Sequence, residues 1–386
     1  MATLHRRTLL KKAALFTGGY TLLPGLVQTA AAASVPFVQD PINLLSDKAA
    51  IETTPPGIIA RLLANENPFG PSDKAKKALH EAISLSYQYP IEAIRSLEQK
   101  IQTFEGLQKD QVLLSAGSSP LLLAAALAYG KGTIVSASPT YEDLLQKAEE
   151  LGTKVVRVPL TADYQYDLDA MEKAIDQDTS LVYICNPNNP TATVTDAARL
   201  KAFCERVSKK TTVFVDEAYI DYLDNPKAVS LMEGLRQGQN IIIARTFSKL
   251  YGFAGLRVGY VAGLPATIAR LEKYAAGPMS ISATSLGAAL AAYQDQEFLQ
   301  DARTKTVASR SFLYETLKAE GYSWLPSAAN FVMFPISMEG RKFATEMMKR
   351  GVGIRTWKFN SKDWCRVSIG TMEEMQAFAK AFKELA

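Results

Sequence analysis

Short apolar runs, separated by stretches with helical periodicity, dominate the sequence between residues 112 and 262. Seven runs predict strands, at Val112–Leu114, Thr133–Val135, Val155–Val158, Leu181–Ile184, Thr212–Val215, Ile241–Ala244 and Arg257–Ala262. Helical patterns occupy most of the intervals, as at Leu121–Tyr129, Glu142–Leu151 and Ala197–Ser208. Nearly continuous apolar strands that alternate with helices are typical of a mostly parallel sheet with helices on both faces. The pattern therefore predicts an α/β fold on a seven-stranded, mostly parallel sheet.

The pattern changes on either side of about Pro265. Arg257–Ala262 follows its predecessor too closely for a crossover helix, which favours an antiparallel strand. Beyond Pro265, long helices mix with strands at Asn330–Phe334, Val352–Arg355 and Arg366–Ile369, and an amphipathic helix at Met372–Leu385 closes the chain. We predict an N-terminal arm at residues 34–64, a large domain at 65–264 and a smaller α+β domain at 265–386.

The first 33 residues have the layout of an export signal. A basic region with Arg6-Arg7 precedes an apolar region, Ala13–Val27, and small residues follow up to Ser34. The run Arg-Arg-Thr-Leu-Leu-Lys resembles a bacterial twin-arginine signal, which is read by the translocon for folded proteins. We therefore predict cleavage near Ala33 and a periplasmic protein. An uncleaved membrane anchor is the alternative, although the apolar region is shorter than the roughly 20 residues that a span requires.

Composition and charge exclude several kinds of function. Four of the 43 basic residues lie in residues 1–33, which contain no acid, so the remaining 39 equal the 39 acidic residues. The positive net charge thus belongs to the signal region, and nothing favours nucleic acid as a partner. With only two histidines, His5 and His80, and three scattered cysteines, we expect no metal site, no Ser-His-Asp triad and no disulfide framework.

Reactive and polar side chains follow several predicted strands at their carboxyl ends, where ligands bind in such sheets. Small residues from Ser115 to Ser119 open a helix and leave N–H groups free for an anion, although an ordinary helix N-cap has the same sequence. The later strands end in Asn188-Asn189-Pro190-Thr191, Asp216-Glu217-Ala218-Tyr219 and Thr246-Phe247-Ser248-Lys249, with Arg257 following. Each feature has an ordinary structural explanation, but together they predict one site at one edge of the sheet.

These segments resemble the fold-type I pyridoxal 5′-phosphate (PLP) enzymes, and most closely the histidinol-phosphate aminotransferases. The similar segments, in family order, are Asn65-Glu66-Asn67-Pro68-Phe69-Gly70-Pro71, Tyr87-Gln88-Tyr89-Pro90, Ser138-Pro139-Thr140-Tyr141, the three strand ends above, Ala329-Asn330-Phe331-Val332 and Cys365-Arg366-Val367-Ser368-Ile369-Gly370. The resemblance covers residues 60–386. It implies a class I/II aminotransferase with PLP as cofactor, a homodimer, and a large sheet domain followed by a smaller α+β domain.

The resemblance also implies a role for each residue of the site. Lys249 would bind PLP covalently and then act as general base and acid, with its pKa lowered by its surroundings. Asp216 would pair with the protonated pyridine nitrogen. Asn189 and Tyr219 would hydrogen-bond the phenolic oxygen of the ring, and Tyr141 would stack on its face. Tyr141 and Tyr219 have a plain alternative as core aromatic residues.

The remaining implied roles concern anionic groups. The residues that would hold the cofactor phosphate are Ser118, Ser119, Thr246, Ser248 and Arg257, with Tyr89 reaching it from a neighbouring subunit. Arg366 resembles the clamp for the substrate carboxylate, a task that suits a planar bidentate donor. Arg355 resembles a second substrate-binding arginine, although a surface ion pair is its alternative.

One position departs from the family in a way that backbone geometry can test. Ala192 follows Asn189-Pro190-Thr191 where relatives have glycine. Because alanine disfavours a positive φ, we expect this turn to differ slightly from that of the relatives.

The function that these residues predict is transfer of an α-amino group between an amino acid, or an amino-alcohol phosphate, and a 2-oxo acid. A PLP decarboxylase, cyclase or lyase would share the cofactor site, because the outcome depends on which substrate bond is broken. A periplasmic solute-binding protein, also made of two α/β lobes, is the alternative from another class. Export in the folded state would allow the cofactor to be loaded before translocation.

Overall fold

The computed structural model describes residues 57–385, so the predicted signal and residues 34–56 of the predicted arm lie outside the described residues. The strands are β1 Ala60–Arg61, β2 Val112–Ser115, β3 Thr133–Ser138, β4 Val155–Pro159, β5 Thr179–Cys185, β6 Thr212–Asp216, β7 Ile241–Thr246, β8 Gly259–Ala262, β9 Phe331–Ile336, β10 Val352–Gly353, β11 Arg355–Phe359 and β12 Lys362–Ser368. In this part of the chain no helix is both long enough and apolar enough to cross a bilayer.

The α-helices alternate with the strands through the first two thirds of the described chain. They are α1 Asp73–Ile83, α2 Ile91–Glu105, α3 Ser119–Tyr129, α4 Asp143–Glu150, α5 Leu168–Lys173, α6 Ala197–Val207, α7 Pro226–Val229, α8 Met232–Arg236, α9 Pro265–Glu272, α10 Ala283–Ala292, α11 Gln296–Ala319, α12 Gly340–Lys349 and α13 Met372–Lys383. Short 3₁₀ helices occur at Ile220–Tyr222 and Pro278–Ser280.

A seven-stranded sheet with the order β2-β8-β7-β6-β5-β3-β4 forms the centre of the molecule. Strands β3 to β7 run parallel to one another, whereas β8 runs antiparallel to both β2 and β7. This confirms the predicted α/β sheet, including the antiparallel strand that the short β7–β8 connection implied. Arg257, which the pattern placed inside that strand, lies before it with φ 54°, because β8 begins only at Gly259.

Helices cover both faces of this sheet, as the apolar strands predicted. Successive residues of β5 point to opposite faces, so Leu181 and Tyr183 pack in one core with α3, α4 and α9. Val182 and Ile184 pack in a second core, with α5, α6 and α8. Burial on both faces explains why the parallel strands are apolar throughout.

The C-terminal region has a separate antiparallel sheet with the order β11-β12-β9. Its core includes Phe334, Phe343 and Phe378, which bring β9, α12 and α13 together. Helix α13 begins at a capping box in which Thr371 and Glu374 satisfy each other's backbone N–H groups. The predicted strand Val352–Arg355 is in fact two strands, because the chain leaves β10 at Gly353 and starts β11 at Arg355. The domain boundary near residue 264 stays a prediction.

Candidate active site

The carboxyl ends of three neighbouring parallel strands bring the candidate residues together. Cys185 at the end of β5 is paired with Asp216 at the end of β6, and Asp216 is paired with Ala244 in β7. The chain then continues from β7 through Thr246 to Lys249. This is the edge of a parallel sheet at which ligands bind, because the strands all end there and their loops diverge.

A cavity of about 280 Å³ lies at this edge. Its lining comprises Ala64, Asn65, Glu66, Ser118, Ser119, Tyr141, Cys185, Asn189, Asp216, Ala218, Tyr219, Thr246, Ser248, Lys249, Ala254, Arg257, Arg355 and Arg366. Every residue that the sequence proposed for the site is therefore present except Tyr89. The Tyr89 side chain is 81% exposed and lies outside the cavity, which leaves its proposed role in a neighbouring subunit a prediction.

One side of the cavity is built to hold an anion. The guanidinium of Arg257 donates to Ser248 Oγ at 3.1 Å and lies against Gly117, where a Cβ atom would be 2.1 Å from Arg257 Nη2. Gly117 also has φ 86°, so both space and conformation require glycine here. Helix α3 begins beside it with no side-chain cap, which leaves N–H groups and the positive end of the helix dipole for a ligand.

Lys249 and Asp216 line the cavity, and the pKa of each side chain is shifted far from its ordinary value. Burial, assisted by the charge of Arg366, lowers the pKa of Lys249 to about 8, so the neutral amine forms at a lower pH than it does for an ordinary lysine. Its Nζ atom donates to the backbone oxygen of Asn65 at 3.4 Å. Burial raises the pKa of Asp216 to about 7, although a hydrogen bond from the backbone N–H of Ala218 to its Oδ1 atom, at 3.1 Å, acts in the opposite direction. A base with an accessible neutral form thus lies near an acid that forms no ion pair within residues 57–385.

Arg366 is buried without an acidic partner among the residues that the structure describes. Its Nη1 atom donates to Asn189 Oδ1 at 2.7 Å and its Nη2 atom to the Leu63 carbonyl at 3.0 Å, while Nε has no partner. The guanidinium lies 4.6 Å from the Trp357 ring centroid and 5.2 Å from that of Phe331. Burial lowers its pKa to about 9. An unpaired donor held in this way is suited to a carboxylate ligand.

Arg355 lies directly opposite Arg366 in the β11–β12 ladder. Residues that face each other in a ladder share one face of the sheet, and like charges in that arrangement repel. Within residues 57–385 no carboxylate forms an ion pair with either arginine, so the surface ion pair considered for Arg355 is not present. Besides burial, the charge of Arg355 lowers the pKa of Arg366, and an anion between the two guanidinium groups would relieve their repulsion.

The sequence did not assign any role to Asn65 beyond its place in a motif. The structure shows that it lies in the cavity wall with φ 53° and donates from Nδ2 to the hydroxyl of Tyr219. Tyr141 also lines the cavity, and its hydroxyl donates to Asp143. Both tyrosines are therefore cavity residues with polar partners, although Tyr219 also packs edge-on against Phe331.

Ala192 adopts the left-handed conformation that its sequence position made doubtful. Its φ is 59° and it is fully buried. The turn after Asn189 therefore keeps a glycine-like backbone, at a strain of about 1–2 kcal/mol for an L-residue.

A second and larger cavity, of about 370 Å³, shares Thr246 with the first. Several of its charged lining residues pair with one another, as in the Arg236–Glu233 contact at 2.5 Å and the Arg245–Glu105 contact at 3.8 Å. The first cavity differs because its arginines lack carboxylate partners in the described part of the chain. The smaller cavity, whose arginines are available to bind an anion, is therefore the candidate active site.

Comparison with known proteins agrees with this geometry. The model of the family described as aminotransferase class I and II matches residues 58–382. The chain belongs to this family. Aminotransferases of this family depend on PLP, so the protein is a PLP-dependent enzyme and the solute-binding alternative is excluded.

Two curated relatives show which kind of aminotransferase the chain resembles. The chain is 33% identical over 331 residues to the histidinol-phosphate aminotransferase of Moorella thermoacetica, with 85% of each chain covered. It is 35% identical over 328 residues to that of Symbiobacterium thermophilum, covering 84% of this chain and 90% of the relative. The protein is thus a histidinol-phosphate-aminotransferase-like member of the family.

Solved structures show the same fold. A histidinol-phosphate aminotransferase from Sinorhizobium meliloti in complex with PLP has a TM-score of 0.80 and 27% identity, covering 92% of this chain and all of that one. An L-threonine-O-3-phosphate decarboxylase from Porphyromonas gingivalis has a TM-score of 0.73 at 17% identity, with 85% of this chain and 99% of that one covered. The fold alone therefore does not select the reaction.

The residues of the cavity fit PLP. Arg257, Ser248 and the start of α3 offer a cradle for a phosphate that Gly117 keeps open. The buried carboxyl of Asp216 forms no ion pair in the part of the chain that the structure describes, and a protonated ring nitrogen would supply a cationic partner. Lys249 provides an amine of lowered pKa for an aldehyde.

Proposed function

We propose that this aminotransferase transfers the amino group of an anionic amino acid or amino-alcohol phosphate to a 2-oxo acid, so that the donor becomes a carbonyl compound and the acceptor an amino acid. The opposed pair Arg355 and Arg366 carries this proposal, because two guanidinium groups without carboxylate partners call for an anionic substrate. The names of the curated relatives add histidinol phosphate to the candidate substrates. Arg366 would clamp the first acidic group and Arg355 would assist at the far end of the substrate.

The side chains around Lys249 would divide the work of the reaction. When bound, PLP supplies an electron sink that stabilises negative charge at the α-carbon of the substrate. Lys249 would take the α-proton as a neutral amine and return it, a role that becomes available as pH rises through about 8. Asp216 would hold the ring nitrogen in its protonated form. Asn189 and Tyr219 would bind the phenolic oxygen, and Tyr141 would pack on the ring.

Replacing Arg366 by glutamine tests the proposed substrate clamp. We expect KM for a carboxylate-bearing amino donor to rise about 100-fold or more, because two charge-assisted hydrogen bonds are lost. The measurement is a half-reaction: the PLP form of the protein is mixed with one donor at a time, including an acidic amino acid and histidinol phosphate, and the visible absorbance is followed.

Arg95→Gln is the matched control, because this arginine is exposed and contacts only Glu92. Its half-reactions should equal those of the wild type. An unchanged KM in Arg366→Gln for every carboxylate-bearing donor would contradict the clamp. A 2-oxo acid as the single-turnover product supports transamination, whereas carbon dioxide or a cyclic product would point to the alternative chemistries.

We propose that the protein is exported in a folded state to the periplasm, with residues 1–33 as the signal. Arg6-Arg7, the uncharged region after Lys12 and the small residues near Ala33 support this. A cofactor made in the cytosol has to be loaded before translocation, which a folded-protein route permits. Residues 1–40 fused to a reporter should direct export, and Arg6→Lys with Arg7→Lys should abolish it. Export that persists in the double variant would argue against this route.

We propose that the active unit is a homodimer in which Tyr89 reaches the phosphate cradle of the neighbouring subunit. A patch of exposed apolar side chains supports this: Leu85 is 54%, Tyr87 82% and Tyr89 81% exposed. Exposed patches of this kind mark interaction surfaces. Sedimentation should give twice the mass of one chain, and Tyr89→Phe should weaken PLP retention. A fully active monomer would refute the proposal.

A further inference from the structure

Asn65 connects three parts of the structure at the wall of the cavity. Its backbone N–H donates to Ser368 Oγ on β12 at 2.8 Å, and its Nδ2 donates to the hydroxyl of Tyr219 at 3.0 Å. Its carbonyl accepts from Lys249 Nζ at 3.4 Å and from Asn330 Nδ2 at 3.1 Å. The side chain is buried, with 2% of the residue exposed, and the backbone is left-handed. Asparagine tolerates that conformation better than most residues.

The backbone N–H of Asn65 determines which group donates in each of the hydrogen bonds that link Asn65, Ser368 and Tyr219. The backbone N–H of Asn65 can only donate, so Ser368 Oγ accepts there and has its own proton left to give. That proton goes to Asn65 Oδ1, at 2.9 Å. The amide of Asn65 must therefore present its NH₂ group, and not its oxygen, to the hydroxyl of Tyr219.

The hydroxyl of Tyr219 is left with one proton and no acceptor among the described residues. It accepts from Asn65, and this is its one hydrogen bond in that part of the chain. The ring lines the cavity, 5.4 Å from Lys249 Nζ. A hydroxyl that already accepts from an amide has to donate elsewhere, and the cavity is the side that remains.

We propose that Asn65 is a positioning residue that, with Ser368, turns the hydroxyl of Tyr219 into a fixed donor toward the cavity. The group that would receive this hydrogen bond is an anionic oxygen on the cofactor ring. Ser368 is the last residue of β12 in the C-terminal sheet, whereas Tyr219 lies in the loop that follows β6 of the large sheet. The donor direction therefore depends on contact between these two parts of the structure. The inference rests on the proposed role of Tyr219 and extends it to a residue with no assigned function.

Replacing Asn65 by aspartate distinguishes a role in orienting the Tyr219 hydroxyl from a role in side-chain packing. Asn65→Asp has nearly the same shape but only accepts, so the Tyr219 proton would turn toward the introduced carboxylate and away from the cavity. Donation to the phenolic oxygen stabilises the deprotonated form of the bound cofactor. Its loss should move the pH midpoint of the visible absorbance upward by about one unit. Asn65→Gly keeps the left-handed backbone and leaves Tyr219 free to donate, so its shift should be less than half as large.

A double-mutant cycle with Tyr219→Phe separates two effects of the introduced carboxylate: its direct electrostatic effect on the cofactor and its effect through the hydroxyl of Tyr219. In that background Asn65→Asp can act only through its charge on the cofactor, whereas in the wild type it acts also through the tyrosine. The two shifts should therefore differ by about one pH unit. A packing role predicts the opposite order, with the isosteric Asn65→Asp milder than Asn65→Gly.

Ser368 provides a second route to the same conclusion if Asn65→Asp does not fold. Ser368→Ala frees the Asn65 amide to flip and should raise the midpoint part of the way, whereas Ser368→Thr retains the hydroxyl and should leave it unchanged. Equal Asn65→Asp shifts in both backgrounds, or an unshifted Ser368→Ala, would overturn the positioning role. A Tyr219→Phe variant whose midpoint is itself unshifted would instead remove the proposed role of Tyr219, and a Lys249→Ala variant that keeps covalent PLP would remove the proposed site.

Discussion

Replacing Lys249 by alanine should reduce the transamination rate by about 10⁴-fold or more while leaving PLP bound. The rate falls because the variant has neither the amine that captures the aldehyde nor the base that moves the α-proton. The cofactor stays because Arg257, Ser248 and the start of α3 do not involve this lysine. Single-turnover kinetics give the rate, and borohydride reduction followed by peptide mapping should label residue 249 in the wild type alone.

Two controls sharpen this result. Lys209→Ala removes a lysine that is 70% exposed in its side chain and pairs only with Glu205, so it should have wild-type kinetics. A small primary amine added to Lys249→Ala should restore part of the proton-transfer rate, since it replaces the missing base. Full activity in the variant, or borohydride labelling at another residue, would show that Lys249 is not the reactive amine.

Asp216→Asn should lower activity by about 10²–10⁴-fold and yet stabilise the cofactor-free protein at pH 8. Activity falls because an uncharged amide cannot hold the ring nitrogen protonated. The stability effect has the opposite sign because the folded protein without cofactor buries an uncompensated carboxylate. Both consequences come from one side chain, so a single variant tests them.

The pH dependence gives the sign of the stability effect. The pKa of Asp216 is about 7 in the folded protein, above the ordinary value of roughly 3.9 for an unfolded chain. Its contribution to stability is therefore fully present below about pH 4 and is lost as pH rises through 7. Above that the carboxylate costs about 4 kcal/mol, which Asp216→Asn avoids.

Urea unfolding of the cofactor-free proteins at pH 4 and pH 8 measures this difference. The variant should exceed the wild type in free energy of unfolding at pH 8 and approach it at pH 4. A variant that is less stable than the wild type at both pH values would mean that Asp216 has a compensating partner. Glu205→Gln, a change at an exposed surface acid, serves as the control and should show no such pH dependence.

Much of the site could be predicted because its residues follow directly after strands. Asp216 and Lys249 each lie at the end of an apolar run or within a few residues of it. Predicting the strands therefore also predicted where the reactive side chains would lie. The same argument identified β8 as antiparallel, since a connection as short as the one after β7 cannot cross the sheet. It failed at the start of β8, because Arg257 and Val258 look like strand residues but belong to the loop of the phosphate cradle.

Other features depended on partners far away in the chain. Asn65 forms hydrogen bonds with Tyr219 and Ser368, which lie 154 and 303 positions away in the sequence, and no local pattern indicates either contact. The opposition of Arg355 and Arg366 depends on the register between β11 and β12, which a one-residue slip would destroy. The strain at Ala192 likewise becomes visible only through its φ.

By itself, the sequence determined the order of strands and helices and the residues that end the central strands. Those features follow from side-chain periodicity and from the chemistry of short segments, which the sequence contains in full. Only the tertiary structure decided that Arg355 and Arg366 face each other without a carboxylate partner within residues 57–385, and that Asn65 donates a hydrogen bond to the hydroxyl of Tyr219. Charge repulsion and hydrogen-bond direction are properties of distance and orientation, and these exist only once the chain has folded.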